Sequence, residues 1–328
     1  MKLNEVGEFG LIDLIKEGAV VDPASLVAGI GDDAAAYIPS PGKLELLTTD
    51  MLVEKVHFDL TTTSPWQLGY KAVAVNLSDI AAMGGRPRHI IVSLGLPADV
   101  AVEFVVNLYN GMKEICREFG VNIVGGDTVA SPHGLVINVA VTGEVEPTAI
   151  VKRSGAKPGD VVVVTGTLGG SACGLELLSR RGWEDYDFAW PLVMAHLTPR
   201  PQVSIGQKLA ALGATSADDI SDGLASEANE LAKASGVRVR LYAEKIPLAP
   251  ELEQAAQMLG KRALDYALFG GEDYQLVFTI GPERFAGLPQ DAGRFTAVGE
   301  VTEGEGATLA YQAGKAVKLK PKGYNHFR

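Results

Sequence analysis

"LELLTTD" at residues 44–50 and "SPWQLGYKAVAVNLSDIAAMGG" at residues 64–85 together decide the fold class. The first reads as a strand that ends on Thr48, Thr49 and Asp50. The second opens with Ser64 as N-cap and Pro65 at the first helical position, and closes at Gly84-Gly85. A strand that hands over to a helix, with a carboxylate at the handover, is the pattern of an α/β domain whose ligand site lies at strand ends. The alternation continues outward. HIIVSLGL (89–96) reads as a strand, residues 99–119 as an amphipathic helix, VNIVGGD (121–127) as a strand entering a glycine turn, and LVINVAVTGEV (135–145) as a long strand. Upstream, residues 8–17 carry apolar side chains at helical spacing.

Near residue 150 the character changes. RSGAKPGD (153–160) is a polar Gly/Pro connector, and VVVVTG (161–166) reads as a buried strand. Helices are expected at 170–180, 202–212 and 223–235, with strands at VRVRLY (237–242) and YQLVFTI (274–280) and short strands in the tail. The expected boundary lies at about 147–155, giving domains 1–150 and 151–328. Both halves read as mixed α/β.

Composition narrows the function classes. The 328 residues suffice for two self-supporting cores. Twenty-nine Lys plus Arg against 40 Asp plus Glu leave a net charge of −11, which argues against nucleic acid and anionic membranes as partners. Cys116 and Cys173 are far apart and outside any CxxC pair, so neither a disulfide framework nor a zinc site is expected. Glu5, Glu8 and Asp13 are unlike a secretory leader, and no apolar run reaches the roughly 18 residues of a membrane span. The expected location is the cytoplasm.

Five acidic clusters then need a common explanation: GIGDDAAAY (29–37), TTD (48–50), LSD (77–79), GGD (125–127) and DDISDG (218–223). Adjacent carboxylates repel unless one is protonated or a cation lies between them. Phosphoryl transfer needs a held polyphosphate with its charge neutralised, and magnesium is held by one or two carboxylates plus phosphate oxygens. The GxxxxGK[ST] loop is absent, so any ATP would be bound through aspartates and metals. Lys71 and Asp79 can share a helix face, with Asn76 on the same edge. In DDISDGL, Asp219 and Asp222 fall at an expected helix start with Ser221 as a possible cap, where backbone N–H groups favour phosphate. Plainer readings exist for the pieces. GDD and GGD are ordinary turn sequences, DISDGL is a good capping sequence, and Asp79 could simply pair with Lys71.

The set of motifs is more specific than any one of them. GIGDDAA, TTDMLVEKVHF, KAVAVNLSDIAAMG, GGDT, RSGAKPGD, DISDGL, GGEDYQL and KGYNHF, in this order, resemble the thiamine-monophosphate kinases over nearly the whole chain. The resemblance implies an aminoimidazole ribonucleotide synthetase-like architecture: an N-terminal α/β domain that dimerises through its sheet, and a C-terminal α/β domain completing the ATP and substrate site. It implies transfer of the ATP γ-phosphate to thiamine phosphate by direct in-line attack, without a phosphoenzyme. Carried over by motif, Asp33, Thr48, Thr49, Asp50, Asp79, Asp127, Asp219 and Asp222 are the implied ligands of several magnesium ions. Gly126, Asp127, Arg153 and Ser221 are the implied ATP contacts. His57, Glu272 and Tyr324 are the implied thiamine phosphate contacts. Three positions depart from the family pattern: Lys55 and Gly85, where glycine and alanine are expected, and Gln275, where glutamate is usual. The competing expectations are a sibling enzyme of the same superfamily and a non-catalytic magnesium–nucleotide regulator. With no Cys before residue 116 and an NHFR ending, selenophosphate synthesis and hydrogenase maturation are less expected.

Overall fold

The computed structural model describes residues 3–288, 295–312, 314–321 and 323. The chain divides into two compact units, Met1–Ile80 with Gly85–Pro147, and Ala81–Gly84 with Thr148–Arg328.

The first unit runs α1 (Leu3–Ile15), β1 (Leu26–Ala28), β2 (Ala36–Tyr37), β3 (Leu44–Val53), α2 (Pro65–Ala82), β4 (Arg86–Leu96), α3 (Val102–Phe119), β5 (Asn122–Ala130) and β6 (Val136–Val145). The last two residues of α2, Ala81 and Ala82, group with the second unit. Ser64 starts α2 as its sequence indicates. Gln67 N–H donates to Ser64 Oγ while Ser64 N–H donates to Gln67 Oε1, a reciprocal cap that satisfies donors the helix cannot.

Four strands form a sheet in the order β3-β6-β4-β5, antiparallel except for the β4/β5 pair. Period-2 alternation gives this sheet two different faces. One buries Leu46, Leu52, Val92, Leu94, Val139 and Val141, with Ile80 of α2 over Gly143. The other leaves Leu47 77%, Met51 53%, Ile91 45% and Val129 53% exposed.

The second unit runs β7 (Val161–Thr165), α4 (Gly170–Leu178), α5 (Ala189–Leu197), α6 (Val203–Gly206), α7 (Leu209–Leu212), β8 (Ala214–Asp219), α8 (Leu224–Ser235), β9 (Arg238–Tyr242), α9 (Leu252–Leu259), α10 (Ala263–Phe269), β10 (Leu276–Ile280), α11 (Pro282–Ala286), β11 (Phe295–Thr302), β12 (Gly306–Ala310) and β13 (Ala316–Leu319). Seven strands order as β13-β12-β9-β11-β7-β10-β8, antiparallel except for β12/β9. Both faces are covered, which is why β7 reads as an unbroken valine run. Val162 and Val164 pack with Leu224, Ala228 and Leu231 of α8, whereas Val163 packs with Phe278, Ile205 and Leu209. The single helix expected at 202–212 is two short ones. Val203 and Ile205 are both buried, and residues two apart cannot face the same way on one straight helix.

Register decides what this sheet presents. Val277 of β10 pairs with Val164 of β7, and Leu276 pairs with Asp219 of β8. The turns after β7 and β8 and the segment before β10 therefore emerge at one end of the sheet. DISDGL and GGEDYQ are neighbours for that reason.

Candidate active site

In the first unit, β3 carries Thr48 and Asp50 on the face that meets α2. Thr48 Oγ1 donates to Asp79 Oδ2 at 2.5 Å. Asp50 lies in the field of the same carboxylate, and its own carboxyl is pushed up to about 6, by burial first and by Asp79 second. Asn76, one turn before Asp79, donates to Ala72 O, while its buried Oδ1 accepts nothing. Thr49 points the other way. Its hydroxyl donates to Val139 O and accepts from Asn138 Nδ2 on the open face of the sheet. TTD thus splits its oxygens between two faces because a strand alternates.

Asp127 shares the open face with Thr49. A Cβ on Gly126 would meet Val92 O at 1.9 Å, so only glycine lets β5 approach β4 just before this aspartate. Asp33, Gly126 and Asp127 line one cleft of about 1030 Å³, together with Lys16 and Tyr109. Tyr109 is otherwise buried, and burial raises its hydroxyl pKa. The sequence marks it only as one apolar-face residue of an amphipathic helix, so its place in the cleft is visible only in the fold.

His57 follows β3 in a tight turn. Its Nδ1 accepts the Val53 N–H at 3.0 Å, which leaves the proton of the neutral ring on Nε2. Lys55 has φ 64, the left-handed region, which explains why glycine is the expected residue there. Its ammonium pairs with Asp59 at 2.8 Å.

In the second unit, Arg153 Nε donates to the buried Asp218 carboxylate at 2.9 Å, with the Arg153 side chain still 55% exposed. Asp218 Oδ1 also accepts Asp219 N–H. Ser221 is not the helix cap expected for it. α8 begins at Leu224 with Gly223 at φ 102 before it, and Ser221 O instead accepts the Glu272 N–H at 2.7 Å. A Cβ on Gly271 would meet that same carbonyl at 2.4 Å. The buried Glu227 of α8 accepts the Asp222 N–H, and its carboxyl is pushed up to about 9 by burial and then by Asp218, with Asp219 and Asp222 adding to it. Glu227 is spaced with Leu224 and Leu231 on the apolar side of α8, a signal the acidic motif upstream overshadows. Gln275 accepts Thr165 Oγ1–H at 2.8 Å. Tyr324 lies outside the described residues.

Magnesium fits this donor set, although among the described residues no three His, Cys, Asp or Glu side chains already form a metal centre. Hard oxygen donors are present, and the raised carboxyl of Asp50 and the unbonded Asn76 Oδ1 mark excess acceptor capacity beside Asp79. Phosphate oxygens would complete the coordination.

Asp50 gives a pH test in metal-free protein. Its folded pKa of about 6 exceeds the ordinary aspartate value near 4, so folding favours the protonated form. Its stabilising contribution is present at low pH and lost as pH rises from about 4 to about 6. Asp50→Asn should therefore gain stability relative to the unsubstituted protein across that window, in urea melts with chelator. A difference that stays flat with pH would contradict the raised Asp50 carboxyl.

Comparison with known proteins follows the same division. Family models match residues 31–145 (AIR synthase related protein, N-terminal domain) and 157–312 (AIR synthase related protein, C-terminal domain). The thiamine-monophosphate kinase of Aquifex aeolicus is 43% identical over 327 residues, covering 100% of both chains. That of Bacillus subtilis is 38% identical over 331 residues, covering 98% of this chain and 99% of its own. A solved structure of AaThiL complexed with AMPPCP and TMP matches with TM-score 0.80 and 40% identity, covering 100% of this chain and 99% of that one.

Proposed function

The chain belongs to the AIR synthase-related family, among its thiamine-monophosphate kinases, and from that premise we propose that it transfers the γ-phosphate of ATP to thiamine phosphate, giving thiamine diphosphate and ADP. The observation that carries this reading is full-length similarity to relatives named for that activity.

A terminal oxygen of thiamine phosphate attacks the γ-phosphorus in line, and the bond to the β–γ bridging oxygen breaks onto ADP. The acceptor oxygen is already ionised at neutral pH, so no protein nucleophile or base is required. Bound magnesium neutralises the two anions and orients them. The chain's own part is to hold and place. Thr48, Asp50 and Asp79, then Asp33, Thr49 and Asp127, and in the second unit Asp219 and Asp222, offer the oxygens. Arg153, aimed by Asp218, offers a planar fork to phosphate, and Gly126, Asp127 and Ser221 offer further ATP contacts. The family resemblance assigns His57, Glu272 and Tyr324 to thiamine phosphate, the last as a ring for its cationic thiazolium. A reducing compartment such as the cytoplasm suits the two buried free thiols. Among the described residues no helix is long and apolar enough to cross a membrane.

The working form we infer is a homodimer. Asp50 and Gly126 stand at one level of the sheet, each register partner to Val139 or Val92, with β6 and β4 between their strands. Three strand spacings amount to roughly 14 Å, too far for Asp50 and Asp127 of one copy to share an ion. Both β3 and β5 are sheet edges, and the open face between them carries Leu47, Met51, Ile91 and Val129. Pairing both edges of one copy with the opposite edges of a second closes the two sheets on one another, which puts Thr49 and Asp50 of one beside Asp127 of the other and encloses that apolar face.

Purified protein with ATP, magnesium and thiamine phosphate should yield thiamine diphosphate, with no product when magnesium is omitted or thiamine is the acceptor. Absence of product despite magnesium-dependent ATP binding would favour a sibling enzyme or a regulatory binder.

A subunit-complementation assay tests the dimer. Asp50→Asn and Asp127→Asn homodimers should each lose activity by about 100-fold or more. Mixing and refolding them should restore roughly a quarter of the unsubstituted activity, from the one intact site in each heterodimer. A mixture no more active than its components would contradict a shared site.

A further inference from the structure

Glu272 sits in a constrained loop of the second unit. Among the described residues only three non-glycine residues have positive φ, and two are Glu272 (φ 66) and Tyr274 (φ 48). Such backbone persists where surrounding contacts over-determine it. Here Glu272 N–H donates to Ser221 O, Tyr274 N–H to Ile220 O, and Gln275 O accepts Ile220 N–H. Between them, the buried Asp273 carboxylate accepts the N–H groups of Gly169 and Ser171 at 2.6 and 3.1 Å, pinning the loop to the start of α4.

The backbone is fixed, but a glutamate side chain keeps three rotatable bonds that the backbone does not fix. His196 supplies what is missing. It lies in the last turn of α5 and is 3% exposed. Its Nδ1 lies 3.2 Å from Glu272 Oε2 and 3.2 Å from Ser171 Oγ. An ionised carboxylate only accepts, so the proton between His196 and Glu272 belongs to Nδ1. Ser171 ties the imidazole to the same helix start that holds Asp273.

We propose that His196 is a positioning residue: it holds the Glu272 carboxylate, through Nδ1, in the orientation that meets the cationic part of thiamine phosphate. This rests on the assignment of Glu272 to the substrate. His196 itself touches no reacting atom. Its effect is to spare substrate binding the entropy of fixing a flexible glutamate, and so it acts on thiamine phosphate alone.

Steady-state kinetics of the full-length protein test this with Glu272→Ala, His196→Leu, His196→Asn and His196→Gln. Asparagine places an N–H near the position of Nδ1, whereas glutamine places one near Nε2. Glu272→Ala should raise KM for thiamine phosphate about tenfold or more and leave KM for ATP within about twofold. His196→Leu should raise the same KM about fivefold to tenfold, His196→Asn should stay within about twofold, and His196→Gln should resemble leucine. In a Glu272→Ala background, His196→Leu should add nothing further. If His196→Leu fails to fold, the asparagine–glutamine contrast carries the test. Equal effects of Asn and Gln, equal loss for both substrates, or additivity with Glu272→Ala would overturn the positioning role. An unchanged KM in Glu272→Ala would overturn the substrate assignment, and this inference with it.

Discussion

Like-charge repulsion among carboxylates is the constraint on which this molecule is organised. Asp50 beside Asp79, and Glu227 among Asp218, Asp219 and Asp222, are pairings that a fold without ligands has no reason to hold. Burial first, and the neighbouring carboxylates second, raise the pKa of Asp50 to about 6 and of Glu227 to about 9. The clusters persist because their carriers are rigid. Asp50 lies on a ten-residue strand, Asp79 on a capped eighteen-residue helix, and Asp218 and Asp219 end a strand of a sheet covered on both faces. Repulsion at such positions cannot be relieved by the backbone moving away, so it is available to be relieved by a divalent ion.

The second unit adds precision by a different route. Register brings DISDGL and GGEDYQ to one end of the sheet, and backbone hydrogen bonds then lock one to the other. Left-handed backbone at Glu272 and Tyr274 costs on the order of 1–3 kcal/mol each, offset by the contacts of Asp273, Ser221 and Ile220. Strain in this loop accompanies Glu272, whereas Asp50 and Asp79 sit at regular strand and helix positions.

Much of this was legible in the sequence. Ser64-Pro65 marked the start of α2, and the valine run marked β7, because local rules of capping and periodicity act within a few residues. The acidic motifs marked the strand ends for the same reason. What escaped depended on partners far along the chain. Ser221 looked like a cap, but the GGED loop claims its carbonyl, and Gly223 lets the helix start later. Thr48 and Thr49 looked alike until strand alternation sent them to opposite faces. Glu227, Tyr109 and His196 each sit on an apolar helix face, where sequence alone cannot separate a packed residue from one aimed at a site. Lys55 departs from the family pattern, and its positive φ supplies the reason that glycine belongs there.

The most direct measurement is calorimetric titration of the unsubstituted protein with a non-hydrolysable ATP analogue, with magnesium and again with chelator. If the paired carboxylates exist to hold metal, the analogue binds only with magnesium, and Asp79→Asn weakens that binding by about tenfold or more. Equal affinity in chelator, where a polyphosphate would have to meet those aspartates without a cation, would show that the acidic clusters serve some other purpose.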